Sequence, residues 1–167
     1  MTFHRPRRVL FVCTGNICRS PTAEGVLRKM VAAGSLAGKV EIDSAGTQGY
    51  HVGEPPDPRA IEHAAKRGID ISDLRGRQVG AGDFEHFDFI IAMDEGHVRH
   101  LMAMCPTRLK HKIERLMDYG GGKKQTEVPD PYAGKAKDFE IALDLIELGC
   151  AGLHAYLLDL HRMSGKQ

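Results

Sequence analysis

Short continuous apolar runs alternate along the chain with longer segments whose apolar positions recur every three or four residues. Residues 9–12, "VLFV", form the first run, and an unbroken apolar run of this length predicts a strand covered on both faces. Ser20 and Pro21 then mark a helix start, with proline at the first helical position, where its missing N–H costs nothing. Val26, Leu27, Met30 and Val31 keep helical spacing up to Gly34. "KVEIDSAGT" predicts a second strand ending near Ser44, residues 57–67 a helix closed by Gly68, and "DFIIAM" a third buried strand. Val98, Leu101, Met102 and Cys105 stand at i, i+3, i+4 and i+7, one apolar helix face that stops before Pro106. "KIERLMD" predicts a fourth strand. A long helix follows from 138 to about 161, carrying Ile141, Leu145, Leu148, Leu153, Tyr156, Leu157 and Leu160, with Gly149 and Gly152 where the backbone packs closely.

Strand and helix thus alternate four times without internal repeat or low-complexity linker, which predicts an α/β doubly wound three-layer sandwich. Its four-stranded parallel sheet carries helices on both faces, and ligands sit at the carboxyl ends of the strands. Cys13, Ser44 and the Met93-Asp94-Glu95 segment all fall at that rim.

Length and composition narrow this picture. A chain of 167 residues is the size of a single domain, spanning 1–167 with residues 1–6 expected as a flexible tail. With 42% hydrophobic and 27% charged residues, neither disorder nor a membrane span is suggested, and the apolar run before Cys13 is too short for a signal-peptide core. A cytoplasmic location is expected. The net charge of +1 argues against a nucleic-acid or membrane-surface binder.

Local charge tells more. Arg5, Arg7, Arg8 and Arg19 precede the first acidic residue, Glu24, so this stretch suits an anion, although Arg5 and Arg7 read as part of a solvated tail. The four cysteines, at 13, 18, 105 and 150, form no paired CxxC units, and no metal site is expected. Cys105 and Cys150 read as small apolar core residues. His97 and His100 share a helix face without a third ligand and read as solvated.

The loop "CTGNICRS", residues 13–20, joins a buried strand to a helix N-terminus, where free backbone N–H groups and the positive end of the helix dipole favour an oxyanion. Gly15 is expected to let the backbone curl, and Arg19 to supply a planar fork for two phosphate oxygens. The field that binds an anion there also favours the thiolate of Cys13. For Cys13 the plain alternative is a buried core thiol, and for Asp130 a turn former beside Pro129 and Pro131.

Cys-x5-Arg-Ser near the N-terminus, with "DPY" at 130–132, "DSAGT" after the second strand and "AMDE" after the third, resembles the low-molecular-weight protein tyrosine phosphatases over nearly the whole chain. The resemblance implies hydrolysis of phosphotyrosine in proteins through a phosphocysteine. Cys13 is then the nucleophile, Arg19 holds the equatorial oxygens, Ser20 bonds the sulfur, and Asp130 is the general acid and base. Thr14, Gly15, Asn16, Ile17, Cys18 and Ser20 complete the phosphate loop. Asn16 and Ser44 brace it, while Ile17, Tyr50 and Tyr132 wall the substrate cleft. No cofactor is implied. The expected partners are tyrosine-phosphorylated proteins, with phosphate and related oxyanions as inhibitors, and a monomer is expected. In that family the second loop cysteine can trap an oxidised nucleophile, making Cys13 and Cys18 a redox pair. The alternative is that Cys18 only packs beneath the loop.

Three other readings compete. An arginine phosphatase shares the fold, but Ile17, where that subfamily resembles threonine, suits an aromatic ring better. An arsenate reductase of the same fold needs relay cysteines that residues 67–86 lack. A silent phosphotyrosine-binding module would not need nucleophile, arginine and acid together. Two departures from the family pattern stand out: Tyr132 is followed by Ala133 instead of a second aromatic, and Leu74 stands near where a histidine is often found.

Overall fold

In the computed structural model, which describes residues 5–120 and 125–165, the four apolar runs do become four parallel strands. Strands β1 (Arg7–Cys13), β2 (Val40–Gly46), β3 (Phe89–Ala92) and β4 (Ile113–Arg115) form one sheet in the order β2-β1-β3-β4. β1 is central, and Val9, Leu10, Phe11 and Val12 are fully buried, as an unbroken apolar run requires. Its register sets Cys13 beside Gly46 on one side and Val12 beside Ala92 on the other, so three strand ends meet at one rim.

The pleat splits the core in two. Val9, Phe11 and Cys13 pack under α1 (Arg19–Ala32), α2 (Pro58–Ala65) and α5 (Ala136–Ser164). Leu10 and Val12 face α3 (Ala81–His86) and α4 (Glu95–Met104). Helices therefore cover both faces.

Several boundaries differ from the sequence expectation. α1 begins at Arg19, two residues before Pro21, so the proline occupies the third helical position. Its missing N–H is still one of the first-turn donors that lack an intrahelical partner, so the helix tolerates it. The shift brings Arg19 and Ser20 into the first turn. β2 runs on to Gly46, where a Cβ would lie 2.6 Å from the carbonyl oxygen of Thr14, so only glycine lets the two strand ends approach. The six-residue α3 was not foreseen, being too short to show a periodicity.

Arg5 stays exposed, as expected, but is tied down by pairing with both oxygens of Asp88 at 2.7 and 2.9 Å, whereas Arg7 is half-buried, opens β1 and donates to Ser164 Oγ. Residues 1–4 of the expected tail lie outside the described residues.

α5 is long and apolar enough to cross a membrane by length and composition alone, but it is the core helix of this fold. Phe139, Leu143, Ile146, Leu153 and Leu157 are buried against the sheet and α1. Gly149 and Gly152 do mark close approach, since a Cβ on Gly152 would fall 1.8 Å from the carbonyl oxygen of Tyr119. Cys105 and Cys150 are buried, as expected of small apolar side chains.

Candidate active site

The loop of residues 14–18 leaves the end of β1 and turns directly into α1, and its shape depends on one residue in a left-handed conformation. That residue is Asn16, at φ 59°, rather than the neighbouring glycine. Asparagine tolerates this region because its short side chain can bond locally. Asn16 does so: Nδ2 donates to Ser20 Oγ at 2.8 Å and to Ser44 Oγ at 3.0 Å, while Oδ1 accepts from the Arg77 N–H at 3.0 Å. Gly15 is needed for space instead, because a Cβ there would meet His51 Cδ2 at 2.9 Å. The role foreseen for Gly15 thus passes to Asn16.

Further bonds hold the loop from outside. Thr47 and Gln48 donate N–H groups to the carbonyls of Cys13 and Thr14, and Asp57 donates to that of Ile17. Ser44 passes on the load, donating to Glu24 Oε1 at 2.7 Å, and Arg28 binds the other Glu24 oxygen. Burial pushes the Glu24 carboxyl up, and the Ser44 and Arg28 contacts oppose it. With its carbonyls turned outward, the loop keeps the N–H groups of Gly15, Asn16, Ile17 and Cys18 without an acceptor among the described residues. A row of amides at a helix N-terminus is a cradle for an oxyanion.

Cys13 lies in this cradle, buried, with Sγ 2.9 Å from Ser20 Oγ. Arg19 closes one side and is only 4% exposed. Its Nη1 is committed to Asp94 Oδ2 at 2.8 Å and the Val128 carbonyl at 2.9 Å, while Nη2 lies 3.5 Å from Asp130 Oδ2. The planar fork therefore ties the start of α4 to the segment carrying Asp130. That segment is pinned at Val128, whose N–H bonds the Met93 carbonyl, and at Tyr132, whose carbonyl accepts from Arg59 Nη2. Asp130 itself stands half exposed between Pro129 and Pro131, its Oδ1 accepting from the Tyr132 N–H.

A cleft of about 140 Å³ opens above the loop. Cys13, Thr14, Gly15, Ile17, Cys18, Arg19, Tyr50, His51, Asp130 and Tyr132 line it. Every loop and cleft residue named from the sequence lines this cleft or, for Asn16, Ser20 and Ser44, bonds the loop from beneath. Tyr50 and Tyr132 are its most exposed members. Leu74, noted as a departure, packs against the core, and the Arg77 amide does the bracing of Asn16.

The sequence alone assigns no role to Glu24, Arg59 or His51, places Asp94 at the rim without one, and has His97 solvated. His97 is the sharpest correction: it is buried, not solvated, with Nε2 2.9 Å from Thr14 Oγ1. Burial and the Arg19 charge lower its pKa to about 4. Burial alone would raise Asp94, but Arg19 and His97 outweigh it and hold that carboxyl below its ordinary range. Burial also pushes the Cys18 thiol up, with the Asp57 charge adding to it. Among the described residues no cluster of three or more potential metal ligands occurs.

Residues 8–162 match the family model described as low molecular weight phosphotyrosine protein phosphatase. The low molecular weight protein-tyrosine-phosphatase YfkJ of Bacillus subtilis is 42% identical over 147 residues, which are 88% of this chain and 93% of that one. The crystal structure of YfkJ superposes with a TM-score of 0.89, covering 95% of this chain and 98% of the other. The human low molecular weight phosphotyrosine protein phosphatase is 43% identical over 136 residues, 80% of this chain and 85% of its own. A protein tyrosine phosphatase from Entamoeba histolytica, crystallised with Hepes in the active site, superposes with a TM-score of 0.88 at 41% identity, covering 92% and 97% of the two chains.

Proposed function

The chain belongs to the low molecular weight phosphotyrosine protein phosphatases and hydrolyses phosphotyrosine in proteins, and on that footing we propose how its residues divide the reaction. The phosphoryl group enters the ring of loop amides, and the Nε–Nη2 edge of Arg19, left over from the contacts of Nη1, grips two of its oxygens. Cys13 Sγ attacks phosphorus opposite the tyrosyl oxygen. As the phosphorus–oxygen bond breaks, Asp130 gives its proton to the departing phenolate. In the second step Asp130, now a carboxylate, takes a proton from a water that attacks phosphorus, and Cys13 leaves.

Ser20 assists that departure. Its Oγ accepts from Asn16 Nδ2, so its own proton is free for the sulfur 2.9 Å away, closer than the alternative acceptor, the Ala45 carbonyl at 3.5 Å. The observation that carries this assignment is the guanidinium of Arg19, which lines one cleft with Cys13 and has Nη2 3.5 Å from Asp130 Oδ2. The experiment is a panel of phosphotyrosine, phosphoserine and phosphoarginine peptides. Phosphotyrosine should be turned over fastest, and a preference for phosphoarginine would overturn the role given to the apolar Ile17 and the two tyrosines.

Cys18 is the second thiol of a reversible redox pair. A sulfenic acid on Cys13, formed by peroxide, condenses with the Cys18 thiol to a disulfide and water, and a dithiol restores both. Both cysteines are free in the structure and line one cleft. After brief peroxide treatment wild type should regain activity in dithiothreitol, and Cys18→Ser should regain much less; equal recovery would leave Cys18 a packing role. The chain is read as a single-domain monomer, for which size-exclusion chromatography is the check.

A further inference from the structure

His97 belongs to the first turn of α4, yet its ring reaches out of that helix into the substrate loop. Its two nitrogens have different partners. Nδ1 lies 3.2 Å from the backbone N of Asp94. That backbone group can only donate, and Asp94 Oδ1, also 3.2 Å from Nδ1, already accepts the His97 N–H at 3.0 Å, so Nδ1 is assigned the acceptor role toward the Asp94 N–H. In a neutral ring the proton is then on Nε2, and the Thr14 hydroxyl oxygen, 2.9 Å away, accepts it. Burial and the neighbouring Arg19 keep the ring neutral, which preserves this tautomer.

Arg19 Nη2 approaches the same Nε2 at 3.5 Å. Two N–H donors cannot bond each other, so the ring edge acts as a backstop for the guanidinium. Asp94 supplies the opposite restraint, with Oδ2 on Arg19 Nη1 and Oδ1 on the His97 N–H. One helix start thus grips both Arg19 and the residue that follows Cys13.

We infer that His97 is a positioning residue for the phosphatase reaction, donating from Nε2 to Thr14 and backing Arg19 so that loop and arginine are set before phosphate arrives. This rests on the phosphate-loop reading above. It adds that α4, which contributes no group to the reacting atoms, sets the geometry of those that do.

Two substitutions separate the two arms of the ring. His97→Asn keeps an acceptor near the Nδ1 position for the Asp94 N–H but is too short to reach Thr14. His97→Gln places a donor near the Nε2 position and gives up the cap. His97→Asn should keep the melting temperature at pH 7 while kcat/KM on a phosphotyrosine peptide falls about tenfold, the scale of one lost hydrogen bond, and inorganic phosphate should inhibit it more weakly. His97→Gln should recover most of kcat/KM while melting earlier. Thr14→Val should resemble His97→Asn, and the double variant should be no worse than either single one. Wild-type kcat/KM and phosphate inhibition in His97→Asn would overturn the inference, as would losses that multiply in the double variant. Nitrogen-15 spectra of wild type at pH 7 bear on it without any substitution: a proton on Nε2 with bare Nδ1 is expected, and the opposite tautomer or an imidazolium refutes it. Failure of the phosphate-loop reading itself would look different, as wild type or Cys13→Ser behaving contrary to the nucleophile assignment.

Discussion

The loop of residues 14–18 and the segment of residues 128–132 face each other across one cleft, but they are built in opposite ways. The first is sunk into the rim of the sheet. Asn16 is 2% exposed, its side chain makes three hydrogen bonds, and the network runs on through Ser20, Ser44 and Glu24. The second is half in water, with Asp130 and Tyr132 each near 50% exposed, held by backbone bonds at Val128 and Tyr132 and by the single Arg19 contact on Asp130. An oxyanion must be met by donors that need no rearrangement, which calls for an over-determined floor. A carboxylate that alternately gives and takes a proton must also meet water, which suits an open arm between two prolines. Stability is concentrated where the anion binds and withheld where the proton moves.

The strongest way to break this contrast is at the floor. Cys13→Ser should lose turnover altogether while still binding vanadate or phosphate, because the amides and Arg19 remain; activity within tenfold of wild type would contradict the nucleophile assignment. Next comes the arm. Asp130→Asn should cost roughly 10²- to 10⁴-fold on phosphotyrosine, with a smaller burst-phase loss on esters whose leaving group needs no proton. Equal losses on both esters in burst kinetics would remove Asp130 from the acid role.

Acid should separate the two regions through stability. His97 is lowered to about 4 in the fold from 6.5, so the unfolded chain takes up its proton first as pH falls. The stability tied to neutral His97 is complete above pH 6.5 and is lost progressively down to about pH 4. Urea unfolding of wild type and His97→Asn should agree at pH 7, and wild type should lose more between pH 6.5 and 4.5; parallel curves would show that His97 carries no such linkage.

The smallest effect belongs to the rim. Tyr132→Ala should lower kcat/KM on phosphotyrosine peptides several-fold, in keeping with about 0.5–1.5 kcal/mol for an aromatic contact, and leave phosphate inhibition nearly unchanged. Loss of both together would make Tyr132 a support of the arm.

What the sequence disclosed follows the same division. β1 and the residues from Cys13 to Ser20 are contiguous, so strand, loop, nucleophile and arginine are all written in one stretch. Ser44 and Asp130 were legible because each lies in a short motif at a strand end or turn. Asp94, Glu24 and Arg59 were not, because their partners lie 75, 20 and 73 positions away and no local spacing encodes such contacts. His97 misled for a physical reason: beside Val98 on a short helix it has the pattern of an exposed polar flank, and only the approach of the β1 loop buries it. Gly15 misled because glycine ordinarily supplies the left-handed turn, whereas here Asn16 does and glycine serves clearance.

The packing of α5 on α1 has a consequence for the order of events during synthesis. The ribosome delivers residues 13–19 early, but Phe139, Leu143 and Ile146 of α5 lie beside Cys18 and Arg19, and Cys150 Sγ donates to the Ala23 carbonyl across 127 positions of chain. Domains fold as units while they emerge, and contacts of such separation form only when the distant partner exists. A nascent chain stopped before residue 136 therefore holds every catalytic group named here but lacks the α5 side of the core in which Phe11, Val26 and Leu27 pack. The nucleophile is among the first residues to be made, and the helix that completes its shelter is the last of the described elements to arrive.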